Sequence, residues 1–89
     1  MRKTNKWYEN GERAYEKGYY GKAYYWFKKA AQQGNHRALK RLGDMYIYGR
    51  GVKKDDTKAL DWYREAAWKG DGEASYLFEQ MVHAIELSI

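Results

Sequence analysis

The sequence predicts an all-α fold, a short α-solenoid of about five antiparallel helices that form two helix-turn-helix repeats and a C-terminal capping helix. The 89 residues contain no proline, which suits a chain made mostly of helix. The chain also repeats itself, because six positions recur at a constant offset of 36 residues. They are Ala23, Trp26, Phe27, Ala30, Ala31 and Gly34, which are matched by Ala59, Trp62, Tyr63, Ala66, Ala67 and Gly70.

Apolar spacing within each repeat indicates the helices themselves. Positions 23, 26, 27, 30 and 31 follow the i, i+3, i+4, i+7, i+8 pattern that places side chains on one helix face. Each stripe combines two large aromatics with three alanines. Small residues let a neighbouring helix approach, and the aromatics fill the space beside it. We therefore expect four aromatic residues to belong to the core: Trp26, Phe27, Trp62 and Tyr63.

Glycines and short polar residues mark the predicted helix ends. Gly18, Gly34, Gly49 and Gly70 stand where helices should stop, since glycine adopts the left-handed conformation after a helix at little cost. The N-cap candidates are Asn35, Asp55 or Asp56, and Asp71. The predicted helices span about 4–17, 20–33, 36–48, 56–69 and 72–87.

Fourteen residues at fixed spacings follow one another from Ala38 to Gly70. They are Ala38, Leu42, Gly43, Tyr46, Gly49, Gly51, Val52, Asp55, Ala59, Trp62, Tyr63, Ala66, Ala67 and Gly70. This pattern resembles a complete Sel-one-like (Sel1-like) repeat, a branch of the tetratricopeptide-like α-solenoids. The resemblance implies a right-handed superhelix and a role in protein–protein interaction.

The expected organisation is a single domain over 1–89, with repeat one at about 4–34, repeat two at 35–70 and a capping half-repeat at 71–89. The first unit resembles an ordinary tetratricopeptide repeat, with a connecting loop four residues shorter than that of the second. In the third unit, Glu79 stands where the second has Gly43. A glycine there lets the following helix pack closely. No second helix follows in this sequence, so we expect Glu79 to face water and its helix to act as a cap.

Composition excludes several classes of function. There is no cysteine, which rules out disulfide scaffolds, thiolate zinc sites and cysteine nucleophiles. No apolar run approaches the roughly twenty residues of a membrane span, and the basic start is not followed by the apolar stretch of a signal peptide. A cytoplasmic protein is therefore expected.

Catalytic and metal-binding patterns are not found in the sequence. The two histidines and two serines form no recognisable nucleophile–base–acid set, so we predict that the protein is not an enzyme and needs no cofactor. His36 is expected to be a solvent-exposed residue of a first helical turn. His83 has no second histidine and no cysteine at i+3 or i+4, so no metal site is predicted.

Charge is unevenly distributed along the chain. Residues 1–34 carry a net charge of +5, residues 35–70 carry +4, and residues 71–89 carry −4 with no Lys or Arg. Solvated helix faces explain such runs, but an anionic partner or weak head-to-tail homo-association would also fit. Two alternatives to protein binding therefore stay open: association with nucleic acid through the basic first two repeats, and a purely structural, self-assembling and possibly designed repeat unit.

The predicted partner-binding surface follows from the resemblance. In tetratricopeptide-like arrays the first helix of each unit lines a concave face, where another protein binds. Tyrosine is a preferred interface residue because it offers a large area with few rotatable bonds, although such tyrosines can also simply pack between helices. The module would be a small adaptor or inhibitor. Carried over by repeat register, the predicted contacts are Tyr8, Glu12, Tyr15, Arg37, Lys40, Asp44, Tyr48, Tyr76, Gln80 and His83.

Overall fold

The computed structural model describes residues 2–88, with side chains from residue 5 onward. Within these residues the chain forms five α-helices and no strand. The helices are α1 (Arg2–Glu16), α2 (Tyr20–Gln32), α3 (His36–Tyr48), α4 (Asp56–Trp68) and α5 (Gly72–Ser88). Every helix end lies within two residues of its predicted position, and the all-α prediction is confirmed.

Three of the helices begin at the predicted capping residues. The side-chain oxygen of Asn35 accepts a hydrogen bond from the backbone N–H of Ala38 at 3.0 Å, which caps α3. Asp55, rather than its neighbour, caps α4 in the same way. Asp71 caps α5. Each of these side chains satisfies a backbone donor that has no partner inside the helix. At the other end of α3, Gly49 adopts φ +65°, the left-handed conformation that ends the helix.

The core is built from the repeated stripes, with one correction to the prediction. Phe27 and Tyr63 are fully or almost fully buried, together with all of the stripe alanines except the partly buried Ala67. Trp26 and Trp62 are only partly buried. Trp62 packs against the edge of the core, whereas Trp26 stacks edge-on against the exposed Tyr25 ring at 5.2 Å. The two tryptophans stand one position before the buried aromatic, so each lies about 100° around its helix, at the margin of the buried face.

Two glycines let the helices of each pair approach closely. A Cβ atom on Gly43 would lie 2.5 Å from Cε1 of Tyr63, and one on Gly11 would lie 2.5 Å from Cε1 of Phe27. The ring of the second helix therefore lies directly on the backbone of the first. The close-packing role predicted for Gly43 agrees with this geometry, and Gly11 is its equivalent in the first unit.

Each helix packs mainly on the next helix along the chain, as in an α-solenoid, and the molecule measures 42 × 25 × 17 Å. The last helix is held by its first half. Ala74 is buried, Leu77, Phe78 and Met81 pack against the core, and every described residue from position 83 onward is exposed. Glu79 is exposed, as expected where glycine is replaced.

Candidate protein-binding face

Helices α1, α3 and α5 share one face of the molecule, which we call the concave face. A depression of about 270 Å³ on this face is bounded by residues of all three helices. A larger one of about 650 Å³ adjoins it between α1 and the start of α3, and the two share Tyr8, His36 and Arg37. The first helices of the successive units therefore line a common groove.

A chain of ion pairs crosses the concave face from α1 to α5. Arg41 of α3 forks onto Glu12 of α1, with Nε donating to Oε1 at 2.5 Å and Nη2 donating to Oε2 at 3.0 Å. Its Nη1 donates to Oδ2 of Asp44 at 3.1 Å. Lys40 then bridges from Asp44 to Glu73 of α5, at 2.9 Å to each carboxylate. The two-pronged Arg41–Glu12 pair is partly buried and holds its geometry better than an isolated surface pair, whereas Glu73 is mostly exposed.

Asp44 lies beneath this chain and is only 6% exposed. Its Oδ1 accepts a hydrogen bond from the hydroxyl of Tyr63 at 2.6 Å. Burial, together with this bond, raises the pKa of Tyr63 well above its usual range, so the tyrosine stays a neutral donor. Asp44 is among the predicted partner contacts, and in the structure its carboxylate is almost fully buried, ties α3 to α4 through Tyr63 and also pairs with Lys40 and Arg41.

The two basic residues in this series of ion pairs, Arg41 and Lys40, are held in their charged forms. Hydrogen bonds to Glu12 raise the pKa of Arg41 despite the opposing effect of burial. Burial lowers the pKa of Lys40, but the hydrogen bonds to Asp44 and Glu73 outweigh it, and the net shift is upward. Glu12 and Lys40 are thus engaged within the molecule, which makes them the ordered floor of the groove.

The tyrosines predicted to line the face fall into two groups. Tyr8 and Tyr15 are half-buried, and their rings lie 5.9 Å and 6.2 Å from the ring of Phe27. These two pack between helices, which is the alternative reading of the tyrosine pattern. Tyr48 and Tyr76 are 63% and 62% exposed, so their rings are available for contact.

The remaining predicted residues are exposed. Arg37 stands beside both depressions and forms no salt bridge within the part of the chain described. Gln80 and His83 lie further along α5, on the helix stripe that Glu73 and Tyr76 begin. His83 lies 4.0 Å from Glu86.

Two features of the site escaped sequence reasoning. Arg50, in the loop after α3, donates from Nη1 to the hydroxyl of Tyr15 at 2.8 Å and lies over the rings of Tyr15, Tyr20 and Tyr48. His36 is not fully exposed, because its Nδ1 lies 2.8 Å from Oδ2 of Asp71. The same carboxylate caps α5 through its other oxygen. Neither pairing follows from helical spacing, since both partners are distant in sequence.

Two other kinds of feature are absent from residues 2–88. In this range no group of three or more His, Cys, Asp or Glu side chains is placed to hold a metal ion. None of the helices described there is long and apolar enough to cross a membrane.

Known proteins share the repeat pattern. A family model described as "Sel1 repeat" matches residues 6–35 and 36–71. The "ERAD-associated E3 ubiquitin-protein ligase component HRD3A" of Arabidopsis thaliana is 39% identical over 52 residues, covering 57% of this chain and 8% of that protein. The component HRD3B of the same plant is 32% identical over 75 residues, covering 74% of this chain and 12% of that protein.

A Sel1-like repeat-containing protein of Schizosaccharomyces pombe, named as uncharacterized, is 46% identical over 44 residues, covering 49% of this chain and 7% of that protein. The chain therefore spans only 7% to 12% of the length of these curated relatives.

Proposed function

Because this chain belongs to the Sel1 repeat family, whose repeats mediate protein–protein interaction, we propose that it is a non-catalytic adaptor or inhibitor that binds a partner protein through its concave face. The observation that carries this proposal is the pairing of an ordered floor with exposed aromatics. The ion chain from Glu12 to Glu73 links α1, α3 and α5. Tyr48 and Tyr76 remain exposed on two of these helices.

This arrangement suits binding because little order has to be gained. Side chains already held by hydrogen bonds lose less conformational entropy when a partner docks. Exposed tyrosines bury a large area with few rotatable bonds. Binding would then depend on Tyr48 and Tyr76 at the surface, with Arg37 selecting an acidic group on the partner.

The proposal extends to organisation and location. Repeat one (4–34) and repeat two (35–70) would form the binding unit, and residues 71–89 would cap it. We place the protein in the cytoplasm, a location that suits a sequence without cysteine. Fractionation of cells that produce this chain tests the cytoplasmic location, since two relatives are named as ERAD-associated components.

The function is tested by affinity capture with three immobilised forms of the protein. The wild type is compared with the double variant Tyr48→Ala/Tyr76→Ala by quantitative mass spectrometry of the captured proteins. We expect at least one protein that is enriched on the wild type to be lost on the double variant, because the exposed rings provide the contact.

The matched control is the double variant Tyr19→Ala/Tyr25→Ala. These tyrosines are 57% and 56% exposed, close to the values of the test pair, but they lie on and just before α2. The control should capture the same proteins as the wild type. Equal capture by all three forms, or equal loss on both double variants, would remove the concave face as the binding surface.

A further inference from the structure

Another depression, apart from the two on the concave face, lies where the end of α3, the start of α4 and the last turns of α5 meet. Its volume is about 290 Å³, and its walls are mostly aliphatic. We call it the α5 notch, defined by the lining residues Ile47, Asp56, Thr57, Leu60, Met81, Ala84 and Ile85. Neither Tyr48 nor Tyr76 belongs to it, so it is separate from the exposed tyrosines of the concave face.

The same position exists one repeat earlier, and there it is filled. By repeat register, Ile47 corresponds to Tyr15, Asp56 to Tyr20 and Ala84 to Tyr48. In the first repeat, Arg50 occupies the space among those three tyrosines, with its guanidinium 4.9 to 5.6 Å from the ring centres and one hydrogen bond to Tyr15. The backbone next to Arg50 packs closely against the start of α2, since a Cβ on Gly51 would lie 2.7 Å from the carbonyl oxygen of Tyr20.

The α5 notch stays open because the last helix does not turn there. Helix α3 ends at Tyr48, and Gly49 turns the chain so that residues 50–52 fold back over the helix ends. The residue at the position of Gly49 in the next unit is Ile85, and α5 continues as helix to Ser88. The α5 notch thus has the same position in its repeat as the space filled by Arg50, but no segment equivalent to residues 49–52 covers it.

We propose that the α5 notch receives an apolar side chain from an extended, basic segment of a partner protein, lying as residues 49–52 lie in the first repeat. This proposal rests on the proposed function and adds a second, chemically defined contact to it. The residues that line the α5 notch determine which kind of partner side chain fits it. Where the filled position offers three tyrosine rings to a guanidinium, the α5 notch offers Ile47, Leu60 and Ile85, which suit an aliphatic or aromatic group.

The charges beside the notch and the volume of the notch indicate what kind of segment would carry this side chain. Residues 71–89 carry a net charge of −4, but Asp71 and Glu73 lie at the far end of α5 and pair with His36 and Lys40. Beside the notch, the exposed Glu86 follows Ile85, and Asp56 in the notch wall is paired with Lys54 at 2.6 Å. Basic residues beside the apolar one would meet this surface favourably. A second copy of the chain docking α5 against α5 would instead bring like charges together. The volume lies just below the roughly 300–1,000 Å³ usual for small-molecule pockets, and so suits a side chain.

The test uses a peptide probe that copies the chain's own filling segment with one change. The probe is a capped hexapeptide with the sequence of residues 49–54 but with leucine in place of Arg50, which leaves two lysines at its end. Methyl NMR follows binding, because Ile47, Leu60, Met81, Ala84 and Ile85 all carry methyl groups. We expect saturable shifts of these methyl signals. A peptide with alanine at the same place should bind at least about tenfold more weakly, since it buries less apolar surface.

Two variants of the protein control the test. Ala84→Trp should fill the notch and abolish the leucine-peptide shifts, while Glu79→Trp, on the same helix but outside the notch, should leave them intact. Both residues are exposed, so both variants should fold, and a thermal melt verifies this. Absence of saturable shifts at millimolar peptide, equal affinity for the alanine peptide, or undiminished binding to the Ala84→Trp variant would each overturn the proposal.

Self-association gives a different and recognisable result. Shifts of the same methyl signals with protein concentration alone would show that a second copy occupies the notch, and would overturn assignment to a partner segment. A failed peptide titration combined with loss of captured proteins on the Tyr48/Tyr76 variant would remove the notch proposal and leave the concave-face function standing.

Discussion

Substitution of Gly43 by alanine should destabilise the protein far more than the size of one methyl group suggests. The new Cβ would lie 2.5 Å and 2.6 Å from Cε1 and Cδ1 of Tyr63, about 1 Å inside normal carbon–carbon contact. The ring cannot easily move, because Tyr63 is buried and its hydroxyl is hydrogen-bonded to Asp44 at 2.6 Å. The new methyl group would therefore disturb both the packing of the Tyr63 ring and the buried hydrogen bond from Tyr63 to Asp44.

The expected magnitude follows from these contacts. Overpacking costs about 1–3 kcal/mol, and disturbing a hydrogen bond to a charged group adds about 1.5–3 kcal/mol. The better helix propensity of alanine returns about 1 kcal/mol. The free energy of unfolding should thus fall by about 1.5–5 kcal/mol, which in a domain of this size lowers the melting temperature by about 6–40 °C. Gly43→Leu should be more damaging still.

Circular dichroism melts and urea titrations of three alanine variants measure the effect. Gly11→Ala meets Phe27 at the same 2.5 Å, but that ring has no hydroxyl to lose, so the loss should be smaller, about 0–2 kcal/mol. Gly21→Ala has no neighbouring atom within 4 Å and lies in α2, so it should be neutral or stabilising by up to about 1 kcal/mol. A wild-type melt for Gly43→Ala, or equal losses at all three positions, would refute the close packing of α3 on α4.

Two further predictions concern pH and nucleic acid. The hydrogen bond between the hydroxyls of Tyr24 and Tyr46, together with burial, raises the pKa of Tyr46 to about 12 from its usual 10.0. The raised pKa of Tyr46 contributes stability that is fully present below pH 10 and is lost as the pH rises through about 12. The free energy of unfolding should therefore fall between these pH values. In the Tyr24→Phe variant it should fall less steeply. Oligonucleotides should bind only weakly and release as salt rises, because any contact would rest on phosphates alone; sequence-selective submicromolar binding in a fluorescence titration would show the alternative function.

The helices were predictable from sequence because their signals are local. Gly49 ends α3, and Asn35 and Asp71 begin the helices that follow them, each through a contact within four residues along the chain. The repeat added the pairing of helices, since a glycine and a ring at matching positions in both units imply the same close approach. The partial exposure of Trp26 was missed because the 3.6-residue period does not show where the buried stripe ends.

The candidate site was only partly predictable. Helical register placed Asp44 on α3, but only the packed structure shows that its carboxylate turns inward to Tyr63. Arg41 was not among the expected contacts, although it anchors the ion chain through Glu12, 29 residues away. Such pairs depend on how helices rotate against each other, which spacing along one helix does not determine. Tyr48 and Tyr76 were placed on the face by register alone, and the structure adds their exposure.

Binding at the concave face is decided by one affinity measurement on the purified partner obtained by capture. Isothermal titration would compare the wild type with Tyr48→Ala/Tyr76→Ala and with the control Tyr19→Ala/Tyr25→Ala. We predict that the first double variant weakens the Kd by about thirtyfold or more, about 2 kcal/mol, while its melting temperature changes little, because both rings are exposed. An unchanged Kd for this variant, with the affinity lost instead in the α2 control, would place the binding surface on the opposite side of the molecule.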